Sequence, residues 1–161
     1  MATIVLGVGE YGASRVPGDS VKTYALGSCV AVILLDPKTR TVGMAHIALP
    51  DSSINTDRAA ELPGYFADTG LPALLKEMAK NGCSSGRGVF AKLVGGARVM
   101  DHNNVFNIGK RNVLAIKKLL WQHGLGATAE DVGGTISRTV SVDVDTGRVT
   151  ISSTSRGKWE I

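Results

Sequence analysis

The chain has 161 residues, of which 43% are hydrophobic and 20 are glycine, and this is typical of one turn-rich globular domain covering residues 1–161. Aromatic residues make up only 5%, which excludes an aromatic platform for stacking bases. The net charge of +4 is mild, and the densest group of basic residues, Lys110 to Lys118, falls on a predicted helix. This favours a solvated helix face over a nucleic-acid-binding surface, while an acidic protein partner stays open.

Hydrophobic periodicity and turn residues predict a mixed α/β protein with antiparallel hairpins and at least two helices. Residues 10–19 are expected to form a loop, and a short helix is expected to start near Asp57. Asn107 is expected to cap the second main helix, and Gly124 to end it. Strands are expected at 3–9, 20–26, 89–94, 127–132, 137–144 and 148–152, with a further hairpin before residue 50 and main helices at 71–81 and 108–123.

The hairpin that begins at Gly27 and returns through His46 carries the most information. Its turn is expected at Asp36–Thr39, because aspartate bonds the local backbone and proline presets φ. Pairing Leu35 with Arg40 would place Cys29 directly opposite His46, at a distance of about 4.5–5.5 Å between Cβ atoms. A bulge or a one-residue slip would send the two side chains to opposite faces.

Cysteine content and hydropathy indicate the cellular compartment. Two cysteines, Cys29 and Cys83, exclude a disulfide scaffold, although one bridge stays open. The first residues lack a signal peptide's basic and apolar regions, and no apolar run approaches the roughly 18 residues of a membrane span. We expect a cytoplasmic protein with reduced thiols, and an exposed loop thiol at Cys83.

Two familiar motifs are set aside. Gly7, Gly9 and Gly12 match the spaced glycines of dinucleotide sites, but no helical pattern follows them. His46, His102 and His123 lack metal-ligand spacing, so no metal or other cofactor is expected. His102 is interpreted as a loop residue, and His123 as a partner of its helix dipole.

Cys29 and His46 invite two interpretations. A cysteine in an apolar strand usually serves packing, and a lone histidine is usually a satisfied core residue. The predicted register nevertheless opposes them, and the Gly27–Ser28 turn could aim N–H groups at an oxyanion. Thr23 on the preceding strand could accept a hydrogen bond from the imidazole. The residues alone leave packing and nucleophilic catalysis both open.

Several segments resemble the CheD family of chemoreceptor glutamine deamidases. The most specific are Thr23–Val30 and Ala45–Pro50, which resemble its active-site segment. Val94 stands where phenylalanine is expected, and this could alter a contact surface. The likeness continues, in order along nearly the whole chain, at Lys92–Ala97, Asn107–Asn112, Asp131–Gly134, Arg138–Val140 and Gly147–Val149.

The resemblance implies a layered α-β-β fold with mixed or mostly antiparallel sheets, similar to the catalytic domain of cytotoxic necrotizing factor toxins. It implies a papain-like mechanism on a different fold, with Cys29 as nucleophile, His46 as base and acid, and Thr23 as the residue that orients the imidazole. The substrates implied are glutamines on the cytoplasmic domain of methyl-accepting chemoreceptors. A CheC phosphatase is implied as a further partner, which some genomes lack.

Three readings of the chemistry follow. The first is deamidation of receptor glutamines through a cysteine thioester, with glutamyl methyl ester hydrolysis as a side activity. The second is a binding module that docks on receptors or on a CheC-type phosphatase, for which Val94–Gly96 would suit the contact. The third is a thiol hydrolase acting on a small free amide. The first two separate on Cys29, because only an enzyme loses its effect when that thiol is removed.

Overall fold

A computed structural model describes residues 1–83, 88–98 and 107–161, and within them the chain forms ten strands and three α-helices. The helices are α1 (Thr56–Glu61), α2 (Ala67–Lys80) and α3 (Ile108–Gln122). The strands are β1 (Thr3–Leu6), β2 (Tyr11–Ser14), β3 (Ser20–Leu26), β4 (Val30–Asp36), β5 (Thr41–Ile47), β6 (Phe90–Gly95), β7 (Ala127–Val132), β8 (Arg138–Asp143), β9 (Val149–Ser153) and β10 (Gly157–Glu160). None of these helices is long and apolar enough to cross a bilayer.

The strands form two mixed five-stranded sheets. One sheet has the order β1-β3-β8-β9-β10, in which only β1 and β3 run parallel. The other has the order β2-β5-β4-β6-β7, in which only β6 and β7 run parallel. The predicted α/β class with mixed sheets is therefore confirmed.

The central strand β4 shows how the layers stack. All seven of its residues are buried, which a strand covered on both faces requires. Val32 and Leu34 pack with α2 and α3 residues in one core cluster, whereas Ala31 and Ile33 pack with the other sheet in a second cluster. Since successive strand residues point to opposite faces, the order of layers is helices, sheet, sheet.

The chain departs from the expected elements at its edges. Residues 11–14, expected as loop, form the edge strand β2 on β5, and residues 157–160 add β10 beside β9. Helix α2 begins at Ala67, four residues before the expected start. Asn107 takes a left-handed conformation with φ 48° and makes no side-chain capping bond to α3. His102 lies outside the described residues.

The predicted register of the β4–β5 hairpin is wrong by two residues. Leu35 pairs with Val42, and His46 with Ala31. Asp36 closes a four-residue loop by accepting from the Lys38 N–H at 3.2 Å and the Thr39 hydroxyl at 2.6 Å. Moving the turn one residue along the chain changes each pairing by two. Because two is even, every side chain keeps its predicted face, although Cys29 no longer stands opposite His46.

Helix α3 approaches the loop after β6 unusually closely. A Cβ at Gly109 would lie 2.4 Å from the carbonyl oxygen of Gly96 and 2.7 Å from that of Ala97. Helix and loop can therefore touch only through glycine, and this contact fixes where α3 begins relative to β6.

We expect Gly109→Ala to lower the free energy of unfolding by about 1–3 kcal/mol, as overpacking does elsewhere. Gly126→Ala is the matched control, because a Cβ there meets nothing within 4 Å and its φ is not positive. Urea denaturation followed by circular dichroism measures both variants. Equal midpoints for the two would show that the close contact does not restrain the helix.

Candidate active site

A buried hydrogen-bonded chain crosses the layer between the two sheets. Thr23 on β3 is fully buried, and its hydroxyl donates to the carbonyl oxygen of Leu6 at 2.8 Å. The same oxygen lies 2.6 Å from Nδ1 of His46 on β5. Thr23 and His46, two residues singled out from the sequence, are thus in direct contact.

This chain determines where the imidazole carries its proton. A hydroxyl has one proton to donate, and the Leu6 carbonyl can only accept. The Thr23 oxygen must then accept from His46, so Nδ1 is the protonated nitrogen of the neutral ring. Nε2 is left with its lone pair free, which is the tautomer that a general base needs.

The segment that carries Cys29 is held by its carbonyl oxygens. The Gly27 carbonyl accepts from the Ala97 N–H at 2.8 Å, and the Cys29 carbonyl accepts from the Gly96 N–H at 2.9 Å. Gly27 and Ser28 donate no backbone hydrogen bond to any residue that the structure describes. The turn therefore has its carbonyls anchored, while its N–H groups have no acceptor in the described part of the chain.

Cys29 is a half-buried free thiol that packs against the core cluster between the sheets. His46 faces the same layer, since its neighbours in alternation, Val42 and Met44, belong to that cluster while Ala45 and Ile47 face the helices. Cys29, His46 and Thr23 thus all border one layer. The structure places them there with His46 opposite Ala31 rather than Cys29.

Both ionisable groups are shifted toward their neutral forms. Burial raises the pKa of the Cys29 thiol, and its own backbone N–H lowers it by less. Burial lowers the pKa of His46 to about 4, against a smaller opposing effect of the Glu10 carboxylate. At neutral pH both shifts favour a protonated Cys29 thiol and a neutral His46 imidazole over a thiolate and an imidazolium.

Glu10 is a neighbour of the histidine that the sequence did not indicate. The backbone of the turn before β2 pairs with His46, which donates its N–H to the Glu10 carbonyl at 3.0 Å and accepts from the Gly9 N–H at 2.9 Å. The carboxylate of Glu10 accepts from the Gly7 N–H at the same turn. Gly7–Gly12 thus leads into a strand and not into a helix, which confirms that it is not a dinucleotide motif.

Three other expectations concern the remaining thiol, a histidine and metal ligands. Cys83 is buried in the helix-side core, so its interpretation as an exposed thiol is wrong. No disulfide joins Cys29 and Cys83. His123 lies at the end of α3 with Nδ1 3.0 Å from the Leu119 carbonyl oxygen. Within residues 1–83, 88–98 and 107–161, no three acidic, cysteine or histidine side chains converge to hold a metal ion.

Two buried polar residues support the site, and neither was assigned a role from the sequence. Arg138 ties β8 to the end of β7, through Asp131 at 3.0 Å and the Gly133 carbonyl at 2.9 Å. Asn112 of α3 donates to the carbonyl of Ser28 at 3.0 Å. Both lie within segments that carry the family resemblance, which was the only signal available for them.

A thiol, an imidazole with a free Nε2 and a hydroxyl that orients it are the groups of cysteine-dependent acyl transfer, carried here on a layered α/β fold. Comparison with known proteins agrees with this class. A family model described as CheD chemotactic sensory transduction matches residues 48–153, and the chain belongs to the CheD family.

Curated relatives match over essentially their full length. A protein of Syntrophotalea carbinolica named probable chemoreceptor glutamine deamidase CheD is 56% identical, with all of both chains covered. The chemoreceptor glutamine deamidase CheD of Thermotoga maritima is 41% identical, over 96% of this chain and 94% of its own. The probable deamidase of Solibacter usitatus is 42% identical, over 98% and 93%.

We expect Glu10→Gln to lower the pKa of His46 further, because removing the carboxylate removes the charge that favours imidazolium. Glutamine keeps an oxygen for the Gly7 N–H. Glu61→Gln on the exposed face of α1 is the control, and it should leave the pKa of His46 unchanged. An NMR titration of the imidazole carbons measures both. A pKa that rises or stays constant in Glu10→Gln would show that the carboxylate does not act on the ring.

Proposed function

We propose that this protein is a protein-glutamine deamidase that converts glutamine side chains of methyl-accepting chemoreceptors to glutamate. The contact between Thr23 and His46 carries the proposal, because it holds the imidazole as a base within the layer that Cys29 borders. The names of the relatives, all chemoreceptor glutamine deamidases, support the substrate.

In the first half-reaction Cys29 is the nucleophile and His46 the base. Nε2 takes the thiol proton as sulfur attacks the side-chain carbonyl carbon, so that the two charges develop together. This suits a resting pair in which both groups are neutral. The imidazolium then gives its proton to the departing nitrogen, the C–N bond breaks, and ammonia leaves a thioester on Cys29.

In the second half-reaction water replaces the thiol. Nε2 takes a proton from water, whose oxygen attacks the thioester carbon. The C–S bond breaks, the proton returns to sulfur and glutamate is released. A glutamyl methyl ester would give the same thioester with methanol leaving, so we include ester hydrolysis as a side activity. Thr23 keeps Nε2 available in both halves, since its oxygen accepts the Nδ1 proton.

The negative oxygen of each tetrahedral intermediate is assigned to the Gly27–Ser28 turn. Its N–H groups are unengaged among the described residues, while its carbonyls are tied to Ala97 and Asn112. Donors that are fixed before the reaction act more strongly than mobile ones, and removing one costs about 2.7–4 kcal/mol in another enzyme. The anchoring of the carbonyls is what would fix these donors.

The proposal extends to the domain and its setting. Residues 1–161 are taken as one deamidase domain, since one sheet, containing β4 and β5, contributes to both core clusters. We place it in the cytoplasm with the receptor domains on which it acts. The layering of helices on two sheets supports the likeness to the cytotoxic necrotizing factor catalytic domain. We assign no cofactor to the reaction.

A docking role is the second candidate. A groove of about 310 Å³ lies beside the loop that holds Cys29, lined by Gly96, Arg98, Asn107, Lys110, Val113, Val132 and Gly133. Such a groove suits contact with a receptor or with a CheC-type phosphatase. In this role the protein would act by binding, and the thiol would be dispensable.

We expect Cys29→Ala to abolish deamidation of a cytoplasmic chemoreceptor fragment, because no nucleophile remains. Cys83→Ala is the matched control, since Cys83 is the other cysteine and lies in the helix-side core. Peptide mass spectrometry counts the glutamines converted to glutamate. Loss only in Cys29→Ala supports the enzyme. A wild type that binds the fragment without converting it would favour the docking role, and turnover of free glutamine would favour a small-amide hydrolase.

We expect Thr23→Val to lower kcat by about 10²-fold, the order that a misplaced catalytic group costs. Valine matches the shape of threonine but cannot hold the Nδ1 proton. Thr23→Ser keeps the hydroxyl and should retain most of the activity. Steady-state deamidation at matched folded fractions, checked by circular dichroism, compares the two. Equal activity in the valine and serine variants would show that the hydroxyl does not orient His46.

A further inference from the structure

Asn112 on α3 links the two halves of the candidate site through one side chain. Its Nδ2 donates to the carbonyl of Ser28 at 3.0 Å and to the carbonyl of Ala48 at 3.0 Å. Ser28 immediately precedes Cys29, and Ala48 follows His46 by two residues. The side chain is fully buried, so no solvent molecule competes at its surface.

The orientation of this amide is fixed by chemistry. Both partners are carbonyl oxygens, which can only accept, so the nitrogen must face them and each of its protons is used. The other atom, Oδ1, is buried and has no hydrogen-bond partner among the residues that the structure describes. A buried acceptor without a partner is unfavourable. An asparagine at this position is therefore explained by its two donated hydrogen bonds and not by its buried oxygen.

The bond to Ser28 completes a set of three. The carbonyls of Gly27 and Cys29 are held by backbone N–H groups of Ala97 and Gly96, and the carbonyl between them is held by Asn112. Only this middle anchor comes from a side chain, and only it also reaches the end of β5. The Asn112 side chain therefore couples the position of the Gly27–Cys29 turn to the position of the end of β5.

We propose that Asn112 is a positioning residue that fixes the Cys29 segment relative to His46. The expected loss of activity rests on the proposed function, whereas the expected change in the reactivity of the Cys29 thiol does not. Without the two donated bonds the Gly27–Cys29 turn loses one of its three anchors, and nothing on α3 holds that turn at a fixed position relative to the end of β5.

The test compares Asn112→Asp with Asn81→Asp. Both exchange a donating amide for a carboxylate of the same shape, and Asn81 donates to the Glu77 carbonyl at 2.9 Å at the end of α2. The rate of Cys29 alkylation by iodoacetamide, read from the Cys29 peptide across pH 6–10, reports the thiol without any receptor. Deamidation of the receptor fragment gives kcat and KM separately, and urea denaturation gives stability.

We expect Asn112→Asp to lower kcat at least 10-fold with KM within twofold, and to change the alkylation rate of Cys29 by more than threefold. Asn81→Asp should leave kcat, KM and the alkylation rate of Cys29 within twofold of the wild type, even if it lowers stability. Asn112→Ser, whose shorter side chain has a single proton to donate, should fall between the wild type and the aspartate variant, and it replaces that variant if Asn112→Asp does not fold.

The outcomes separate the two proposals. If both Asn112 variants lose stability but keep the kcat and the alkylation profile of the wild type, Asn112 only holds the fold and the inference is overturned. If the wild type deamidates nothing, the proposed function fails, and a changed alkylation profile in the Asn112 variants still supports the positioning role.

Discussion

The buried hydrogen bond between Thr23 and His46 is the constraint on which the site depends. It joins the two sheets across a largely apolar layer, where an unpaired imidazole or hydroxyl would cost about 1–3 kcal/mol. The Thr23 hydroxyl donates to the Leu6 carbonyl and accepts from Nδ1, so among the described residues only Nε2 of the ring is left without a partner. The packing of the two sheets and the tautomer of His46 are thus linked. A change in either would break the hydrogen bonds that join Leu6, Thr23 and His46.

The neutral resting pair follows from that burial. A threonine hydroxyl stabilises an imidazolium less than a carboxylate would, and the lowered pKa of His46 agrees with this. Burial likewise raises the pKa of the Cys29 thiol and so favours its protonated form. A cysteine of this kind resists adventitious oxidation, because the thiolate is the reactive form.

Prediction from the sequence succeeded where local patterns and burial agree. The strands expected at 20–26 and 137–144 were located because buried residues alternate with less buried ones along most of β3 and β8. The hairpin register failed because Asp36 can close the loop from a paired position, which composition does not reveal. Strand β2 was missed because its four residues are recognised only by pairing with β5. Asn112 escaped notice because its partners lie 84 and 64 residues away in the chain.

The glycines beside the site show how the backbone itself is part of the chemistry. A Cβ at Gly95 would lie 2.3 Å from the carbonyl oxygen of Cys29, and the φ of this glycine is 117°. Gly96 donates to that same carbonyl, and Gly109 of α3 must lie against Gly96 for Asn112 to reach Ser28. These contacts let the helix and the loop after β6 hold the cysteine segment by its carbonyls alone. Among the described residues the N–H groups of Gly27 and Ser28 have no acceptor, so the backbone geometry that secures the Cys29 segment also leaves these donors available, as the proposed oxyanion site requires.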